Sequence, residues 1–288
     1  MEIETIPLRE DSKNVHLVAY RLHNSAEFQV DRPRPAVIVC PGGGYMGTSD
    51  REAEPIALRF LAHGYHAFVL RYSVRTRLPA PTRELARAVA LVRKNAQKWL
   101  VNPDQIAVCG FSAGGHLAAS LGVFWDRPFL TEPLGLTPEQ VRPNSLILCY
   151  PVTDLMVLAS QGQVRDVNGQ PVFDMGHILA ILYGLPNPTA DQRDQYRLDL
   201  QVSANTPPTF LWHTAEDVVV PVNNALRFAA ALDQHRVPFE LHVFETGIHG
   251  LALGDEVTEV DGRFLNRDSQ VWVELALNWL RRHNGGAP

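Results

Sequence analysis

The sequence predicts an α/β fold: a mostly parallel sheet of eight strands with helices on both faces. Two observations carry this. Short apolar runs of strand length alternate with longer stretches at helical spacing, which is the pattern of βα units. Several runs, such as Val37-Ile38-Val39-Cys40 and Ile106-Ala107-Val108-Cys109, are apolar throughout, as strands covered on both faces are.

Taken in order, residues 3–8 and 15–22 form two strands with no helix between them. The second partly alternates, as in a half-exposed antiparallel hairpin. Strands follow at 36–40, 65–72, 105–110, 145–150, 208–213 and 239–244. Ile56, Phe60 and Leu61 sit at helical spacing before Gly64, a C-terminal cap. Leu85, Val89, Val92, Ala96 and Trp99 make one apolar stripe. Residues 223–235 and 271–282 repeat that pattern. Two stretches break the rhythm. Residues 126–144 are rich in proline, and 155–206 separate two strands by more than a plain connection needs. The second is expected to hold a helix at 175–183. Both are read as insertions near the active site of a single domain spanning 1–288, the second as a small cap; a surface excursion without function is the plain alternative.

Composition narrows the function. Of 288 residues, 45% are hydrophobic and 20% charged, which fits a globular protein and excludes a long disordered chain. The net charge is -5 and there is no basic block, so nucleic acid is not an expected partner. No apolar run reaches the ~18 residues of a membrane helix. Met1-Glu2-Ile3-Glu4 lacks the basic start of a signal peptide. Cys40, Cys109 and Cys149 each end an apolar run. An odd, widely spaced set reads as buried free thiols, not a disulfide framework or a zinc site. Together these readings predict a cytoplasmic protein with no metal.

Gly110-Phe111-Ser112-Ala113-Gly114 matches G-x-S-x-G. The pentapeptide is common by itself, but here it follows a buried strand and opens a helical pattern. That setting is the one a nucleophile elbow requires. Flanking positions must lack bulk because the turn is tight, and the helix start turns backbone N–H groups toward the serine. A second glycine cluster, Pro41-Gly42-Gly43-Gly44-Tyr45, follows the third strand. Its position suits an oxyanion hole built from the amides of Gly43, Gly44 and Ala113. Neither G-x-x-x-x-G-K-[ST] nor G-x-G-x-x-G spacing is present, so a phosphate loop is disfavoured.

A serine nucleophile needs a base, and the base needs an orienting acid. His249, in Gly247-Ile248-His249-Gly250 after the last strand, is the candidate base. His116 and His242 read as packing residues and His213 as a supporting one. Asp217, after the seventh strand, is the candidate acid, with Glu216 and Asp154 as runners-up. The order Ser112, Asp217, His249 and their placement at strand ends agree with this architecture.

In these stretches, and in Phe244-Glu245-Thr246-Gly247-Ile248-His249-Gly250, the chain resembles the α/β-hydrolases of the esterase/lipase group, close to acetyl-esterase or acetylxylan-esterase-like members. Many of those carry His where this chain has Pro41. The resemblance implies Ser112 as nucleophile, His249 as base, Asp217 as orienter and the Gly43/Gly44 loop in the oxyanion hole. It implies a serine esterase without a cofactor, acting on short acyl esters such as acetyl groups on a sugar or xylo-oligosaccharide. Tyr45, Trp125 and Trp212 are candidates to line the substrate site. An amidase or peptidase, for example one like an aryl-formamidase, could use the same triad. A non-catalytic binding protein on this fold is the reading from another class.

Overall fold

The computed structural model describes residues 1–9, 11–12, 14–159, 162–185 and 188–283. Eight strands form one sheet: β1 (Glu2–Pro7), β2 (His16–Arg21), β3 (Arg34–Cys40), β4 (His66–Arg71), β5 (Val101–Phe111) and β6 (Ser145–Cys149), then β9 (Thr209–Thr214) and β10 (Phe239–Phe244). A separate hairpin, β7 (Gln163–Arg165) and β8 (Pro171–Asp174), lies between β6 and β9 in sequence. The order across the sheet is β1-β2-β4-β3-β5-β6-β9-β10. Among the described residues of this sheet, only the β1–β2 and β2–β4 pairs are antiparallel; its other pairs run parallel.

The continuously apolar runs are buried on both faces, as the period of two requires. Ala36, Ile38 and Cys40 of β3 enter one core, where helices Ala80–Lys94, Ala113–Phe124 and Asn223–Gln234 cover the sheet. Val37 and Val39 enter the other core, beneath helices Glu54–Ala62 and Trp272–His283. Cys40, Cys109 and Cys149 are fully buried free thiols inside these strands. No helix among the described residues is long and apolar enough to cross a membrane.

Two elements differ from their sequence pattern. β5 begins at Val101, not at 105, with Arg34 opposite Val101 and a register shift before Ala36. The added residues include Asn102-Pro103-Asp104, which lie outside the apolar run that marks the strand in the sequence. The stripe from Leu85 to Trp99 is two helices, Ala80–Lys94 and Ala96–Trp99. At Asn95 the side-chain amide bonds the Leu91 carbonyl at 2.8 Å, capping the first helix.

Residues 155–206 contain the helix at Met175–Tyr183 and the β7–β8 hairpin, and positions 160, 161, 186 and 187 lie outside the described residues. Residues 126–144 fold into short helical turns at Pro128–Thr131, Glu132–Leu134 and Pro138–Val141. They lie along helix Ala80–Lys94, where Arg83 bonds the Phe129 carbonyl and Arg93 the Gln140 carbonyl, each at 2.8 Å. Among the described residues, none of this segment lines the cavities at Ser112.

Candidate active site

β5 delivers Ser112 to the edge of the sheet in a conformation side chains seldom adopt, φ 52° and ψ -117°. Small neighbours make this possible. A Cβ on Gly110 would lie 2.1 Å from the Gly114 carbonyl oxygen, and one on Gly114 would lie 2.0 Å from that of Cys40. The turn is pinned by Ser112 N–H donating to Cys149 O at 3.0 Å, and by Val152 N–H donating to Ser112 O at 3.2 Å. Helix Ala113–Phe124 starts at once, so its positive end faces the serine.

Asp217 follows β9 and is buried. Its Oδ1 accepts the N–H groups of Val219 and Val220 at 3.0 and 2.8 Å. Its Oδ2 lies 2.6 Å from His249 Nδ1 and 3.3 Å from His213 Nε2. His249 Nε2 lies 2.8 Å from Ser112 Oγ. These contacts fit a single tautomer, with the proton on Nδ1 held by Asp217 and Nε2 open to the serine hydroxyl. The loop carrying His249 is anchored by Thr214 Oγ1 on Gly247 O at 2.8 Å and by Gly247 N–H on Glu216 Oε2 at 3.2 Å. Glu216 is thus a loop support and not the partner of the histidine.

The two groups of the pair shift in opposite directions. Burial opposes the charge on Asp217, but facing His249 and the hydrogen bonds from His213 and His249 outweigh it and hold the carboxyl well below the ordinary range. Burial opposes the imidazolium of His249, but Asp217 facing it, with Glu52 behind, raises its affinity for the proton above the ordinary value. Such an imidazole is a stronger base toward a hydroxyl.

The glycine loop after β3 comes beside the serine. A Cβ on Gly42 would stand 3.0 Å from Ser112 Cβ. Gly43 and Gly44 have φ of 127° and 61°, where side chains are strained. The amides of Gly43, Gly44 and Ala113 have no hydrogen-bond partner among the described residues. Two cavities meet at Ser112. One of about 300 Å³ is open and mixed in character, with Gly43, Arg51, Asp166, His249 and Phe264 in its walls. The other, of about 30 Å³, is apolar and enclosed by Tyr45, Val152, Val164, Met175 and Ile178. Phe173 on β8 borders both. A larger groove of about 620 Å³, lined by Arg9, Arg83 and Arg87, holds none of these residues.

Other candidates lie elsewhere. Asp154 pairs with Arg197 and Arg227 at 3.4 and 3.5 Å. His116 is buried with its Nδ1 2.8 Å from the Tyr45 hydroxyl, and His242 meets Glu240 on β10. Tyr45 walls the small cavity, but the readings of Trp212 and Trp125 are corrected. Trp212 is fully buried and stacked on Trp272 at 5.5 Å, on the core face of β9. Trp125 ends helix Ala113–Phe124, about 18 Å from its start, with Nε1 bonded to Asn205 O. Three residues of the site escaped the sequence reading: Glu52, Tyr150 and Phe173. Glu52 sits where no periodic pattern marks it, Tyr150 reads as the last residue of a buried strand, and Phe173 lies in a hairpin that reads as loop.

This sheet, with its elbow serine and strand-end histidine, has the α/β-hydrolase fold. The carboxylesterase Cest-2923 from Lactobacillus plantarum superposes with a TM-score of 0.84, at 31% identity over 100% of both chains. An acetyl ester-xyloside bifunctional hydrolase from Caldicellulosiruptor lactoaceticus does so with a TM-score of 0.78, at 35% identity over 99% of this chain and 97% of that one. In sequence, 250 residues are 35% identical to endo-1,4-beta-xylanase B of Butyrivibrio fibrisolvens, covering 84% of this chain and 35% of that protein. The chain spans between 35% and 49% of the length of five curated relatives that it matches. The model of the BD-FAE family matches residues 25–232, and the chain belongs to that family.

Proposed function

We propose that the chain is a serine carboxylester hydrolase that removes short acyl groups, acetyl above all, from an acetylated saccharide such as a xylo-oligosaccharide. The observation that carries this is the hydrogen-bonded series Ser112, His249, Asp217 at 2.8 and 2.6 Å, where a small apolar cavity and a larger mixed one meet. Ser112 Oγ attacks the ester carbonyl as His249 Nε2 takes its proton. The amides of Gly43, Gly44 and Ala113 receive the oxyanion, each such donor contributing about 3–4 kcal/mol in comparable sites. His249 then protonates the departing alcohol, and water activated by the same imidazole releases the acid. Asp217 keeps the tautomer and offsets the imidazolium charge.

Cavity size supports the short acyl group. The apolar cavity beside Ser112 has about a tenth of the volume of the open one, about 30 against about 300 Å³, which suits a short acyl tail. The larger cavity suits the alcohol. The names of the xylanase and the acetyl ester-xyloside hydrolase support a saccharide there. The test is hydrolysis of p-nitrophenyl acetate, butyrate, octanoate and decanoate, with acetylated xylo-oligosaccharides alongside, by wild type and Ser112→Ala. Acetate cleavage should dominate, decline with chain length and fall by about 10³-fold or more in the variant. Ester cleavage that survives Ser112→Ala would overturn the mechanism. Turnover of amides alone would move the assignment to the amidases.

A further inference from the structure

A buried carboxylate outside the three residues of the mechanism touches the loops that build the site. Glu52 lies between the glycine loop and helix Glu54–Ala62, and is 4% exposed. Its Oε2 accepts the Gly42 N–H and its Oε1 accepts the Tyr150 hydroxyl, both at 2.7 Å. Tyr150 follows β6 with φ 37°, another strained position. The Tyr150 oxygen in turn accepts the N–H of Ala252, three residues beyond His249, at 2.9 Å. Its ring stands edge-on to the His249 imidazole, centroids 5.1 Å apart.

Among the described residues, no cation pairs with Glu52. A buried carboxylate held only by neutral donors is expensive, and a fold keeps one where its field or its geometry is used. The group nearby that becomes positive during the proposed reaction is His249. We propose that Glu52 is the positioning residue of this site. It clamps the glycine loop, Tyr150 and the His249 loop into one unit, and it supplies a second negative charge, beside that of Asp217, for the imidazolium. This rests on the esterase reading. The other groups around His249 are Asp217 at Nδ1 with His213 behind it, and Glu216 on the Gly247 amide. Arg51 bonds the Gly250 carbonyl, and Arg263 lines the same open cavity.

The test compares Glu52→Gln, Tyr150→Phe and wild type, using kcat, KM and the pH profile of kcat/KM on p-nitrophenyl acetate. Thermal melting checks that each variant is folded. Glu52→Gln keeps the volume and removes the charge. Its kcat should fall by about tenfold or more while KM changes less than about threefold. The acid limb of its profile should move to lower pH, because the imidazolium has lost a favourable charge. Tyr150→Phe removes the tie and keeps the charge, so kcat should fall while the acid limb stays at its wild-type pH. A folded Glu52→Gln variant with the wild-type kcat and acid limb overturns the proposal. A variant that loses only melting temperature does so too. Should Glu52→Gln not fold, Tyr150→Phe decides: wild-type kcat there overturns the clamp. Ser112→Ala separates the two readings. Activity that persists in it sinks the esterase mechanism, whereas Ser112-dependent activity indifferent to Glu52 and Tyr150 sinks only this inference.

Discussion

At the scale of the residue, His249, the proposed base, is expected to set how activity responds to pH. Its proton affinity is raised by Asp217 facing it, so the base is occupied by a proton at pH values where an ordinary imidazole is free. The acid limb of kcat/KM is therefore expected above pH 6.5, the ordinary histidine value, with activity lost as pH falls through it. A limb below that value, measured from pH 4 to 9, would separate Asp217 from the working imidazole. Asp217→Asn keeps the shape but supports the wrong tautomer, and kcat should fall by about 10⁴-fold, as for comparable triads. Gly114 tests the elbow by crowding. A methyl there would meet the Cys40 carbonyl oxygen at 2.0 Å, which is backbone and cannot yield. Gly114→Ala is expected to lower stability by about 3 kcal/mol and to cost activity as the serine shifts, measured by urea unfolding and esterase assay.

At the scale of the element, the β7–β8 hairpin borders both cavities at Ser112, so it is where the proposed acyl selectivity is tested. Phe173 stands between the two cavities and touches the loop at Gly44, where a Cβ would lie 2.5 Å from its ring. Phe173→Ala should join the cavities and raise butyrate and octanoate cleavage relative to acetate by about tenfold, a change of one to two methylenes in the pocket. An unchanged chain-length profile would remove the hairpin from the specificity argument. This element was also the least legible in the sequence. Asp166, Asn168, Gly169 and Gln170 read as loop, and the paired residues are too few to show alternation. The elbow strand was legible because Ile106-Ala107-Val108-Cys109 is apolar on both faces and stops at a glycine. The placement of Ser112, Asp217 and His249 at strand ends followed from the apolar runs before them, and their chain order agreed with it. Trp212 and Trp125 misled because an aromatic next to a strand or helix end faces a core or a cleft with equal ease. Glu52 left no trace: one acid among Ser49-Asp50-Arg51-Glu52 has no period, and only the fold turns it inward.

At the scale of the whole molecule, acid weakens the fold through a buried base. Burial pushes His116 down to about 4, so the folded chain leaves it neutral while the unfolded chain binds a proton below about 6.5. Stability is complete above that value and falls as the pH drops toward 4, by about 3 kcal/mol for this group. His116→Gln should flatten the slope of melting temperature against pH in that window; an equal slope would assign the acid sensitivity elsewhere. The sheet order carries a consequence for time. Ser112 hangs from β5, Asp217 from β9 and His249 from β10, and 137 residues separate the serine from its histidine. Contacts between segments so distant along the chain close slowly, whereas helices form locally and early. On dilution from denaturant, helical circular dichroism should therefore return first and ester cleavage last. The catalytic assay then serves as a clock for the final closure of the sheet.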